Sequence, residues 1–133
     1  MTKTALDIKR VFICGSALKG QPDHQNLQSA KFIKATKTLP QYRLHAAENG
    51  WHPAIYATEK GISIPGEIYE MTGEQYEYLL ANEPPHMYPD TVDLDGGEQA
   101  IAMLYPQELI EKHGWPDISD FGGWAAYKSA NVQ

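Results

Sequence analysis

A single cysteine, Cys14, among 133 residues excludes an internal disulfide and leaves no second thiol for a CxxC metal or redox pair. No apolar run approaches the roughly 20 residues that cross a bilayer, and the first stretch, MTKTALDIKR, has no apolar h-region. The expectation is a soluble, cytoplasmic protein with no membrane partner. Basic side chains are scarce beyond residue 50, where three Lys/Arg face fourteen Asp/Glu; residues 1 to 50 hold eight against three. With a net charge of −6, nucleic acid is excluded as the expected partner. Lys19, Lys31, Lys34, Lys37 and Arg43 read as a solvated face rather than an anion site. Internal repeats, low-complexity tracts and linkers are also lacking.

What is there is enough for one ordered domain over residues 1–133. The chain is 42% hydrophobic and 21% charged, outside the disorder signature, and its length suits one core. Val11-Phe12-Ile13-Cys14 is a short apolar run ended by Gly15, the pattern of a buried strand entering a tight turn. Gly15 to Asn26 is a glycine- and proline-containing loop in which Asp23 caps a helical turn through His24 to Ser29. Lys31 to Thr38 reads as a strand, Tyr42 to Ala46 as a half-buried one, and Asn49-Gly50 as a turn into Ala54-Ile55-Tyr56. Ile62 to Glu70 alternates, with Pro65-Gly66 marking a bulge or an edge in its middle. At Thr72 the period changes: Gln75 three residues on completes a capping box, and Tyr76, Leu79 and Leu80 form a helical stripe ending by Pro84-Pro85. Strands around Tyr88 to Leu94 and Gln99 to Tyr105 join through Asp95-Gly96-Gly97, and Pro106 opens a short helix to Lys112. The aromatic tail with Trp115, Phe121, Trp124 and Tyr127 is expected to fold back onto the domain. The sum is an α+β fold, a small, mostly antiparallel β-barrel flanked by a few helices.

The chemistry-bearing residues narrow quickly. The five histidines form no HExxH, no HxH and no Cys pairing, so a metal site is not expected. Ser16 lacks the second glycine of a GxSxG elbow, and Cys14 in an apolar run reads as an inert small hydrophobe. Two features remain. The loop from Gly15 to Gly20 follows a strand, where converging backbone N–H groups can hold a carboxylate or an oxyanion. Glu83 ends the Thr72 helix, where the helix dipole disfavours a negative charge. A desolvated carboxyl there would rise towards neutrality and could move protons both ways.

ICGSALKG closing a strand, then GEIYEM, then a helix ending LLANEPP resembles the gamma-glutamylcyclotransferase-like (AIG2-like) family, over most of the chain. GQPDHQNL followed by KATKTLPQYRLHAA resembles the C-terminal domain of allophanate hydrolases, which shares that fold. The first resemblance implies Glu83 as the catalytic acid/base and Gly15, Ser16, Ala17 and Leu18 as the substrate loop. It implies cyclisation of a small-molecule gamma-glutamyl amine or peptide to 5-oxoproline and a free amine, without metal or cofactor. Amides from Ser16 to Leu18 would hold the developing oxyanion or the α-carboxylate, and His24 and Gln25 lie in the same loop. Cys14 stands where that family has tyrosine, Pro84 where many members have glycine, and Tyr88-Pro89-Asp90 lacks the family's arginine. The second resemblance implies a non-catalytic small-molecule-binding or assembly domain, with homodimerisation left open. A third reading, an interaction protein, requires Trp115 and Trp124 to be exposed.

Overall fold

The structure is a computed structural model that describes residues 8–15, 17–21, 23–27, 30–83 and 86–130. Its strands are β1 (Lys9–Ile13), β2 (Lys31–Lys37), β3 (Tyr42–Ala47), β4 (His52–Ala57), β5 (Pro65–Met71), β6 (Tyr88–Asp93) and β7 (Gln99–Leu104). The helices are α1 (Gly73–Ala81), α2 (Gln107–His113) and α3 (Trp124–Ala130), with a 3-10 turn at His24–Leu27 in the loop after β1. Five strands make one sheet in the order β2-β5-β1-β7-β6, and β3 and β4 make a separate ribbon.

The sheet is mixed. β1 runs antiparallel to β5 but parallel to β7, meeting it at Val11 and Ile101. Its place between two neighbours explains the unbroken apolar run, for Val11, Phe12 and Ile13 are all buried. Gly66 of β5 is required by the same crowding, since a Cβ there would run into the Ile13 carbonyl and the Phe12 ring.

The expected barrel does not form among the described residues. β2 and β6 are the two edges of the sheet, and they approach only beyond their ends, at the isolated bridge between Thr38 and Leu94. Thr38 secures that point: its hydroxyl donates to the Leu39 carbonyl (2.7 Å) and accepts from the Ile64 N–H (2.9 Å). A ladder along the whole edge would require matched stagger, and the long β5-to-β6 excursion through α1 does not supply it. The irregularity expected at Pro65-Gly66 is also displaced. Those residues open β5, and the register shift lies across from it, between Phe32 and Lys34 of β2.

The local signals produce what their chemistry dictates. Thr72 caps α1 through a complete capping box with Gln75, and Leu79 of its stripe is fully buried. Asn82 closes the helix, its side chain donating to the Tyr78 carbonyl at 2.8 Å; Pro84 and Pro85 lie outside the described residues, as do Gln28 and Ser29 of the expected turn. The aromatic tail does fold back. Trp124 is 1% exposed in the main core, and Trp115 is half-buried against a second, smaller core around Tyr105 and Ile110. An interaction surface built on both tryptophans is thereby overturned.

Candidate active site

β1 delivers the chain to Cys14 and Gly15 against β4, so closely that a Cβ on Gly15 would overlap the ring of Pro53. Beyond it the loop winds on its own hydrogen bonds: Leu18 N–H to the Gly15 carbonyl (3.0 Å), then Gln21 N–H to that of Leu18 (3.0 Å). Glu67 of β5 ties this loop to the sheet, its Oε1 accepting from the Lys19 N–H (3.2 Å) and the Tyr69 hydroxyl (2.9 Å). The His24 Nδ1–H donates to the Ala17 carbonyl at 2.9 Å, which fixes the ring's tautomer and holds it in the loop.

The end of α1 arrives on the other side. Glu83, Cys14, Gly15 and Ala17 line one recess with His52, Pro53 and Ile55 of β4, closed by Phe12, Ile13, Met87 and Met103. Its interior is narrow, with about 40 Å³ open to a water-sized sphere, and it opens to solvent at the mouth. Apolar walls dominate, and no lysine or arginine lines it among the described residues.

That environment sets the protonation states. Burial, and then the negative charge of Asp23, push the Glu83 carboxyl up from 4.5 to about 7. Burial, and then Glu83 itself, push the Cys14 thiol up to about 12, so it stays a protonated wall group rather than a nucleophile. His52 is lowered by burial, against the opposing pull of its hydrogen bond to the Pro53 carbonyl. It presents a neutral ring to the recess. The arrangement offers one carboxyl able to hold or release a proton near neutral pH, in a recess with no other charged base among the described residues that line it.

Of the residues singled out in the sequence, Glu83, Gly15 and Ala17 line this recess. Ser16 lies outside the described residues. Leu18 does not line it: its side chain is buried and borders a separate groove with Trp124, and its N–H is spent on Gly15. His24 is held by Ala17 and faces Tyr69 at 6.1 Å. His52, Pro53, Met87 and Met103 carry no spacing signal in the sequence, because they come to the recess only through the packing of β4, β7 and the segment leading into β6.

A family model, that of the allophanate hydrolase C-terminal domain, matches residues 9–129. The chain belongs to this family. Among curated relatives, the urea amidolyase of Lachancea kluyveri is 24% identical over 128 residues, which is 91% of this chain but 7% of that protein. A Vibrio cholerae protein named "Putative gamma-glutamylcyclotransferase" is 28% identical over 117 residues, 86% of this chain and 93% of its own. In solved structures, a uropathogenic E. coli-specific protein superposes with a TM-score of 0.84 at 24% identity, each chain fully covered. The matched stretch is thus a small part of a long polypeptide in one relative and nearly the whole of another.

Proposed function

We propose that this domain cyclises gamma-glutamyl amines to 5-oxoproline and a free amine, with Glu83 as the single acid/base. The observation that carries the reading is a carboxyl raised to about 7, lining a recess beside Gly15 and Ala17. The relative named for gamma-glutamylcyclotransferase activity, matched over 93% of its length, adds to it.

The substrate brings its own nucleophile. Its α-amine attacks the side-chain carbonyl carbon and closes a five-membered ring, with the rate advantage of an intramolecular reaction. Glu83 as carboxylate takes the proton lost by the attacking amine, and as carboxylic acid returns it to the departing nitrogen as the C–N bond breaks. The net change is one C–N bond formed and one broken, with the proton passed from one nitrogen to the other. A carboxyl near 7 has both forms populated at neutral pH, so neither half-step is starved. On this reading the backbone amides of Gly15 and Ala17, which line the recess, serve the carbonyl oxygen or the α-carboxylate.

One observation favours a second reading, a binding domain without catalysis. The Leu18 and Lys19 amides are already engaged, by the Gly15 carbonyl and by Glu67, which leaves the loop fewer donors for an oxyanion. A panel of gamma-glutamyl amines incubated with the parent and with Glu83→Gln separates the two. Release of 5-oxoproline by the parent alone, followed by mass spectrometry, is the expected result. No product from a folded parent across the panel would overturn catalysis and leave the recess as a recognition pocket.

A further inference from the structure

The five-stranded sheet has two edges, β2 and β6, and they are finished differently. Alternate residues of an edge strand turn their backbone groups away from the sheet. In β6 the alternate residues Pro89, Thr91 and Asp93 have no donor to spare. Proline has no N–H, the Thr91 N–H donates to the Asp90 Oδ1 at 2.8 Å, and the Asp93 N–H donates to the Tyr42 hydroxyl at 3.1 Å. The Asp93 carbonyl is taken as well, by the Leu39 N–H at 3.0 Å. β2 has no such closure. Among the described residues no backbone group of Lys31–Lys37 makes a hydrogen bond outside the ladder with β5, and five of the seven residues are exposed.

The side chains along this open edge are sorted by face. Phe32, Ala35 and Lys37 lie opposite Tyr69, Glu67 and Pro65 and share one face; Lys31 and Lys34, opposite Glu70 and Ile68, share the other. Phe32 is 39% exposed, its ring edge-on to Tyr69 with centroids 5.6 Å apart and the Lys19 ammonium 3.7 Å from its centroid. Beside it, Ala35, Gly66 and Glu67 form a groove with Trp124, Ala125 and Ala126 of α3, whose small side chains leave room for an apolar one. Glu98 answers Lys34 at 2.6 Å, whereas Lys31 and Lys37 make no ion pair among the described residues. Lysines on an edge strand usually discourage pairing. Here they discriminate, because the backbone behind them is left open. Two copies of β2 laid antiparallel would set Lys31 against Lys37 and Lys34 against Lys34, and β6 of a second copy has no donors to give. An acidic strand meets neither obstacle.

We infer that β2 is a docking edge, which takes an extended acidic segment of another polypeptide as a sixth strand of the sheet. The backbone of that segment pairs with the open groups of Lys31–Lys37. Its acidic side chains meet the lysine face, and its alternate, apolar side chains lie over Phe32 and enter the groove against α3. The edge and its groove share no lining residue with the recess that holds Glu83. The assignment therefore stands or falls apart from the cyclisation chemistry.

The probes are end-blocked peptides as long as β2, Glu-Val-Glu-Ile-Glu-Val-Glu and its counterpart with lysine for glutamate, titrated into the parent protein by calorimetry. The acidic peptide should bind at least tenfold more tightly, and raising the salt from about 50 to about 500 mM should compress that gap severalfold. Lys31→Glu combined with Lys37→Glu should remove most of it. N-methylation of alternate peptide nitrogens separates strand addition from charge attraction. Methylating the set that faces β2 should weaken binding at least tenfold, and methylating the other set should change it little. This arm uses the parent protein and stands whether or not the lysine variant folds. Amide hydrogen exchange read by NMR should show new protection along β2 on binding and none along β6. No binding of the acidic peptide, equal loss from the two methylated sets, or protection at β6 instead of β2 would overturn the assignment. So would an oligonucleotide of equal charge that binds as tightly. Glu83→Gln should bind the acidic peptide as the parent does; a tenfold loss there would put the peptide in the recess and overturn the edge.

Discussion

Glu83 is a largely buried carboxylate and Asp117 an exposed one, and their surroundings drive them in opposite directions. Burial acts upward on each. At Asp117 it is outweighed by hydrogen bonds from Ser119 and Arg43 and by the His45 ring beside it, so the carboxyl is held below its ordinary 3.8. The Arg43 Nε–H donates to Oδ2 at 3.0 Å, and the Ser119 N–H donates to Oδ1 at 2.9 Å. At Glu83 no donor or cation among the described residues answers the burial, and the charge of Asp23 adds to it. Asp117 staples β3 to the segment after α2; Glu83 is left able to exchange a proton. Depth and partnering together separate a structural acid from a reactive one.

The largest expected break in that comparison is in activity. Glu83→Gln should lower 5-oxoproline formation at least about a hundredfold, the usual scale for loss of a general acid/base. Asp117→Asn should change it no more than a few-fold. Stability should move the other way. Between about 4.5 and about 7 the unfolded chain ionises at Glu83 before the folded one does, so stability is lost as pH rises through that window. Glu83→Gln removes this penalty. It should unfold with the parent at about pH 4 and be more stable than the parent by about 1 to 3 kcal/mol at about pH 8, in urea titrations. A variant less stable than the parent at both pH values would mean that the carboxylate is partnered after all.

Gly15→Ala tests the wall against which Glu83 is set. The new Cβ meets the Pro53 ring, and either the loop or β4 must yield, at a cost of about 1 to 3 kcal/mol in thermal unfolding. Asp117→Asn should cost less. Its contribution is present above the ordinary carboxylate range and fades as pH falls through the depressed folded value. The side chain is 36% exposed, so the loss near pH 7 should be about 1 kcal/mol after solvent screening, and smaller near pH 3.

What could be read in advance follows from how locally each feature is specified. The Thr72 and Gln75 cap, the Leu79 stripe and the Asp95-Gly96-Gly97 connection are decided within a few residues, and each forms where its residues say. Glu83 was legible for the same reason, as an acid placed against a helix dipole. Barrel closure was not, because it depends on how far β2 and β6 are staggered, and among the described residues the two edges meet only around Thr38 and Leu94, where the Leu39 N–H donates to the Asp93 carbonyl. Leu18 was assigned to the substrate loop by pattern, yet a pattern cannot tell that its amide is consumed by Gly15. His52 is invisible as a site residue in the sequence, since nothing in its spacing reveals that β4 packs against the loop after β1.

The smallest effect would sharpen the comparison most, because it asks whether a through-space charge is part of what makes Glu83 different. Asp23 raises the Glu83 carboxyl after burial has done so. Asp23→Asn should therefore move the Glu83 titration midpoint below about 7 without returning it to the ordinary range, read from the side-chain carboxyl carbon by NMR. The Asp117 carboxyl in the same spectra should not move, for Asp23 is not among the groups acting on it. An unchanged Glu83 midpoint would assign the whole rise to burial and would place Asp23 facing away from the recess. A midpoint that falls all the way to about 4.5 would mean that the charge, not the apolar wall, holds the proton, and the contrast with Asp117 would then be one of neighbouring charge alone.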